Sequence, residues 1–166
     1  LCYQLPGLVR GGVTLVISPL IALMQDQTAD LKSRGLRVWN LSGISTPTGI
    51  SDAMDNVERS QPCFLFMSPE RLENSEVTER LPRLDIRTVA VDEAHCISEW
   101  GHDFRPSYRR IARLRKLVPN AVWGAFTATA TLQVTEDIHA QLELKTPAVF
   151  KESSRRNNLA YSICQS

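Results

Sequence analysis

A length of 166 residues and an apolar fraction of 43% suit one globular domain with a buried core, and a net charge of +1 gives no argument from total charge for a nucleic-acid partner. The four cysteines, Cys2, Cys63, Cys96 and Cys164, stand far apart without a C-x-x-C pair. That spacing argues against a zinc site and against a disulfide framework, and a reducing cytoplasm is the simplest setting. No secretory segment and no apolar run of about 18 residues occurs, so neither export nor membrane spanning is indicated. The first residue is Leu1 rather than an initiating Met, and the chain reads as cut from something longer.

In chain order, Leu1 to Val9 reads as the remainder of a helix that closes toward Gly11-Gly12. Val13 to Ile17 is a short apolar strand, and Ser18-Pro19 can serve as N-cap and first helical residue for a helix over Leu20 to Lys32. Leu20, Leu23, Met24, Thr28 and Leu31 fall on one face of it. Val38 to Leu41 is a second strand, Ser42 to Gly49 a loop rich in turn residues, and Ser51 to Arg59 a helix. Cys63 to Met67 repeats the earlier design, with Ser68-Pro69 opening a helix through Leu72.

The run Val89 to Val91 is apolar and β-branched in part, and it ends abruptly in two adjacent carboxylates, Asp92 and Glu93. A buried strand carries acid groups to the rim of a sheet in this way. Magnesium nucleotide hydrolysis needs one carboxylate to hold the hydrated metal and another to orient the attacking water. Asp92 is read as the metal-side residue and Glu93 as the water-side residue; the alternative is that both simply cap the next turn. Farther on, Tyr108 to Val118 predicts a helix with Tyr108, Ile111, Leu114 and Val118 on one side. No acidic residue lies between Phe104 and Thr135, where Arg105, Arg109, Arg110, Arg113, Arg115 and Lys116 cluster, either as a nucleic-acid footprint or as a solvated face. Ala121 to Phe126 is a strand ending in Thr127 and Thr129, and Thr129 or Thr131 caps a helix carrying Val134, Ile138 and Leu142. From Lys145 the character changes: Pro147 starts a short apolar piece, followed by S-S-R-R-N-N-L and the alternating Leu159, Tyr161 and Ile163. Strands alternating with helices predict an α/β protein whose parallel sheet is covered on both faces.

The string D-E-A-H-C-I-S-E-W-G-H-D-F-R-P-S-Y resembles motif II and the aromatic-rich loop of the RecQ family of DNA helicases, a branch of helicase superfamily 2. V-I-S-P-L-I-A-L-M-Q-D-Q resembles motif Ia, F-M-S-P-E-R-L motif Ib and F-T-A-T-A motif III. The tail is similar to the family's link S-F-x-R-x-N-L at Ser153, Arg156, Asn158 and Leu159 and departs from it at Ser154. The resemblance implies a RecA-like fold of the P-loop NTPase type, with residues 1–150 forming the first motor domain and residues 151–166 a connector into a second. L-C-Y-Q-L-P directly follows the phosphate-binding loop in this family, yet no G-x-x-x-x-G-K-[ST] occurs in the sequence. The first strand and the P-loop are therefore expected to be lacking.

Carried onto matching positions, the resemblance implies that Asp92 helps bind magnesium, Glu93 positions the attacking water and His95 couples the nucleotide site to the DNA side. Ser18-Pro19 and Ser68-Pro69 would offer helix starts to DNA phosphates. In the loop Ser98 to Arg109, Trp100 and Phe104 have faces on which bases stack, His102 lies between them, and Arg105 offers charge for a phosphate. A core role for Trp100 is the alternative; Gly101, His102, Asp103 and Pro106 around it argue for a loop. Thr127 and Thr129 would connect hydrolysis with DNA contact. Implied cofactors are ATP and magnesium, and implied partners are single-stranded and partly duplex DNA and a second RecA-like domain. The family unwinds DNA with 3-prime to 5-prime polarity in repair and recombination, in the bacterial cytoplasm at the nucleoid or in a eukaryotic nucleus. A nucleic-acid-binding remnant without motor activity and a D-E-A-H RNA helicase are the alternatives, the second disfavoured by W-G-H-D-F-R-P. Two further expectations follow: the chain by itself binds magnesium-ATP weakly, and the Ala121 to Phe126 strand lacks a neighbour on one side, which invites self-association.

Overall fold

The computed structural model describes residues 2–152, so the tail resemblance at Ser153 to Leu159, the alternation through Ile163 and nearly all of the expected connector lie outside the described residues. Among the described residues five strands form one sheet: β1 (Val13–Ile17), β2 (Val38–Asn40), β3 (Cys63–Met67), β4 (Ile86–Val91) and β5 (Val122–Ala125). Their spatial order is β2-β3-β1-β4-β5, and every neighbouring pair is parallel. Parallel strands need crossovers, and here those are supplied by α2 (Ile21–Ser33), α3 (Pro47–Arg59), α4 (Ser75–Arg80) and the turns beside it, and the segment ending in α5 (Leu114–Leu117). α1 (Gln4–Arg10) precedes β1, and α6 (Leu132–Gln141) follows β5.

Because successive strand residues point to opposite faces, β1 and β3 each feed two cores. Val13, Leu15, Ile17, Cys63, Leu65 and Met67 pack with Met54 and Val57 of α3, Leu114 and Ile138 on one side. Val16, Phe64, Phe66 and Ala90 pack with Tyr3, Met24 and Leu31 on the other, under α1 and α2. Each fully buried side chain of this kind contributes about 1.5–3 kcal/mol relative to exposure. α1 seats closely because Gly7 has no side chain: a Cβ there would lie 2.3 Å from the Thr14 hydroxyl oxygen of β1.

Several local expectations are corrected. Ser18 caps nothing and Pro19 is not helical: α2 starts at Ile21 after an extended Leu20, because the Ser18 N–H donates to Met67 O at 3.1 Å and its hydroxyl is engaged elsewhere. Ser68 likewise makes no side-chain cap; Pro69–Glu73 is a 3-10 turn, and α4 is capped instead by the Asn74 side chain, which accepts from Val77 N at 3.2 Å. The segment Ser42 to Gly49 is not all loop, since α3 begins at Pro47 with the Thr46 hydroxyl accepting from Gly49 N at 3.2 Å. Thr131, not Thr129, caps α6 by accepting from Val134 N at 3.2 Å. The segment Tyr108 to Val118 buries the four residues that periodicity selected, but Pro106–Arg113 is 3-10 and only Leu114–Leu117 is α. Tyr108, Ile111 and Leu114 are three apart, the repeat of a 3-10 helix, and the step of four to Val118 comes where the helix turns α.

β5 is an edge: it pairs with β4 alone among the described residues.

Candidate active site

Register decides which groups meet at the rim. Ile17 of β1 lies opposite Val91 of β4, and the Asp92 N–H donates to Ile17 O at 2.8 Å, so the residues that follow each strand, Ser18 and Asp92, stand side by side. The Ser18 hydroxyl donates to Asp92 Oδ2 at 3.3 Å. Ser18 is 0% exposed and both its hydroxyl and its N–H are committed inward, so, against the phosphate contact expected of it, it offers DNA no surface. Burial holds the Asp92 carboxyl above the usual carboxylate range, opposed by the Glu93 N–H and the Ser18 hydroxyl.

The strand ends where Glu93 enters the left-handed region, at φ 47°. A non-glycine residue there is uncommon, and the surroundings hold it: Ala94 N donates to Phe126 O at 2.9 Å, tying the turn to the end of β5. The 3-10 turn Ala94–Ile97 then buries His95. His95 Nδ1 lies 2.8 Å from Thr127 Oγ1 and 3.3 Å from Glu93 Oε2. The Thr127 hydroxyl donates to Thr129 O at 3.1 Å, so toward His95 it accepts, and the network assigns a ring proton of His95 to Nδ1. Burial, and next the neighbouring His102, hold the His95 pKa below its ordinary value. Glu93, His95, Thr127 and Thr129 are thus one connected set, which joins motif II to motif III.

His102 supplies a link that the sequence did not show. Its ring stacks on that of His95, with centroids 4.3 Å apart and planes 16° from parallel, so the loop rests directly on the histidine beside Glu93. Trp100 is 69% exposed and is no core residue. Its main-chain N–H donates to Ser98 Oγ at 3.2 Å, and that hydroxyl donates to Asp137 of α6 at 2.6 Å. Gly101 lets the loop close over motif II: a Cβ there would lie 2.5 Å from His95 O. Arg105 is anchored on Asp103, whose carboxyl it holds below the usual range, and Phe104 lies under the Arg109 guanidinium at 5.1 Å.

The basic cluster is not a free stripe. Arg109 pairs with Glu99 at 2.8 Å, Arg110 pairs with Glu73, and Arg115 donates to Leu142 O while lying 4.5 Å over the Trp123 ring. Acids absent locally are thus supplied from elsewhere in the chain. Ser68 and Pro69 sit at the foot of this segment, since Ser107 Oγ donates to Glu70 at 2.8 Å.

Among the described residues no group of three His, Cys, Asp or Glu side chains could hold a metal alone. One carboxylate backed by a hydroxyl fits magnesium, which is commonly bound by one or two carboxylates together with nucleotide phosphates and retained waters.

The crystal structure of the Pyrococcus furiosus Hef helicase domain superimposes on 80% of this chain and 28% of its own, with a TM-score of 0.60 at 21% identity. The architecture is that of a RecA-like helicase domain. A family model described as DEAD/DEAH box helicase matches residues 1–138, and the chain belongs to that family. Across 98% of its length it is 42% identical to the ATP-dependent helicase wrn-1 of Caenorhabditis elegans and 42% identical to the ATP-dependent DNA helicase Q5 of mouse. It is 40% identical, over the same share, to the ATP-dependent DNA helicase RecQ of Bacillus subtilis. It covers 16%, 17% and 28% of those three proteins. The RecQ resemblance carried by the central motifs therefore extends over nearly the whole chain.

Proposed function

We propose that this chain is the first motor domain of a longer ATP-dependent DNA helicase that moves along single-stranded DNA with 3-prime to 5-prime polarity and unwinds duplexes in repair or recombination. The observation that carries the reading is the contact of His102 with His95: a solvent-facing loop bearing Trp100 rests on the residue that touches Glu93 and Thr127. Asp92 would hold magnesium through the carboxylate oxygen that Ser18 leaves free, and Glu93 would orient the attacking water. Bound magnesium would neutralise charge developing on the transferred phosphoryl group. Trp100 and Phe104 give stacking surfaces that tolerate any base, and Arg105 a cation for the backbone. A base stacked on Trp100 would shift the loop, and with it the ring on His95, giving DNA a physical route to the catalytic carboxylate.

Because the sequence contains no G-x-x-x-x-G-K-[ST], the 166 residues alone are expected to bind magnesium-ATP weakly and not to turn it over; the phosphate-binding loop and a second RecA-like domain would come from the rest of the protein. Calorimetry with a non-hydrolysable ATP analogue measures this, and micromolar binding lost in Asp92→Ala would contradict it. Work at DNA puts the protein at a bacterial nucleoid or in a nucleus.

A steady-state ATPase assay of the full-length protein, with and without single-stranded DNA, tests the main reading. Glu93→Gln abolishes turnover in both conditions. Trp100→Ala weakens single-stranded DNA binding by about 5- to 150-fold, the equivalent of one base stack, and collapses the ratio of stimulated to unstimulated turnover. A folded Trp100→Ala protein with an undiminished ratio would remove the loop from the DNA path.

A further inference from the structure

Besides the Glu93 N–H at its carboxyl, Asp92 is held at three points, and two of these holding groups are hydroxyls outside motif II. Its N–H is taken by β1, through Ile17 O at 2.8 Å. Its Oδ2 accepts from Ser18 at 3.3 Å. Its main-chain carbonyl accepts from the Tyr108 hydroxyl at 2.9 Å. That carbonyl lies just past the last residue of β4, where Glu93 breaks the extended backbone, and the phenol supplies a partner for it.

Tyr108 suits this task. It is 0% exposed, its ring fills the core beside Ile111, and burial raises its phenol far above the ordinary value, so the group stays a proton donor. Its backbone hangs from the loop: Tyr108 N donates to Arg105 O at 3.0 Å, and Arg105 N to Cys96 O at 2.8 Å. Ser18 is equally enclosed, fixed through its own N–H to Met67 O. One hydroxyl thus anchors the Asp92 backbone, and the other, with the Glu93 N–H, constrains the rotation of its carboxylate.

We propose that Ser18 and Tyr108 are positioning residues for the metal-side carboxylate, acting as a two-hydroxyl clamp that orients Asp92 toward a magnesium-nucleotide. The proposal rests on the reading of Asp92 given above. It predicts that removing either hydroxyl weakens the response to magnesium while the fold persists, because Ser18→Ala and Tyr108→Phe each delete one oxygen and keep the rest of the side chain.

The test uses the full-length protein. Affinity for a non-hydrolysable ATP analogue is measured by calorimetry across a magnesium series, and the magnesium concentration at half-maximal affinity is read. Each variant raises that midpoint by roughly 2- to 12-fold, the equivalent of one hydrogen bond. Ile111→Val, a core truncation on the same segment, lowers thermal stability and leaves the midpoint in place. Unmoved midpoints in folded Ser18→Ala and Tyr108→Phe, or an equal shift in Ile111→Val, overturn the proposal. If the wild-type protein binds the analogue without regard to magnesium, the functional reading fails and the clamp with it, a result that is visible before any variant is compared.

Discussion

Burial changes the chemistry of single side chains here. Cys63 and Cys96 are enclosed, and burial pushes both thiols up to about 11. Near pH 8 only about a thousandth of each is thiolate, and the thiolate is the nucleophile. Iodoacetamide at that pH therefore leaves Cys63 and Cys96 unmodified in the folded chain and labels both after unfolding, as peptide mass spectrometry reads. The raised values also fix a sign: the neutral thiols favour the folded state fully below about pH 9, and that contribution is lost as pH rises through about 11. Gly101 carries a steric prediction. A Cβ 2.5 Å from His95 O forces the loop away, so Gly101→Ala costs about 1–3 kcal/mol in thermal unfolding and separates His102 from His95.

Helix starts show how similar local sequences divide by context. Thr46, Asn74 and Thr131 all accept from a backbone N–H three residues on, whereas Ser18 and Ser68 do not, although Thr46, like them, is followed by proline. Thr131→Ala is expected to lower stability by about 1 kcal/mol in urea unfolding with the slope unchanged, through loss of the α6 cap. Ser18→Ala has no cap to lose, so its effect belongs to Asp92. The segment from Pro106 to Leu117 makes the same point for charge. Its arginines form a cluster without acids of its own, yet Glu99 and Glu73 from outside the segment reach Arg109 and Arg110. Such exposed pairs contribute little stability, about 0–1 kcal/mol each, but they orient the guanidinium groups.

At the scale of the whole sheet, β5 is the exposed liability. One side of it has no strand partner among the described residues, and Val122 on it is half exposed. Unpaired N–H and C=O groups on an apolar edge template the addition of another strand. The chain taken alone is therefore expected to self-associate with rising concentration, by sedimentation velocity; Val122→Lys, placing a charge on that edge, should shift it toward monomer. A monodisperse wild-type monomer at every concentration would show that the edge is protected.

What the residues determine by themselves is what short-range periodicity and local chemistry encode. Short apolar runs located every strand among the described residues, and spacings of three and four selected the buried side of Tyr108 to Val118. The adjacency of Asp92 and Glu93 at a strand end, and a Gly- and Pro-bearing loop around Trp100, were equally legible. Tertiary structure decided the rest. That Ser18 meets Asp92 depends on Ile17 lying opposite Val91, a register set by packing summed over both faces of the sheet, which no local signal specifies. Whether a serine caps a helix or donates to a carboxylate depends on what the fold brings beside it. The stacking of His102 on His95 and the reach of Tyr108 to the Asp92 carbonyl arise from a loop folding back over a strand end, a three-dimensional closure that neighbours in sequence do not define.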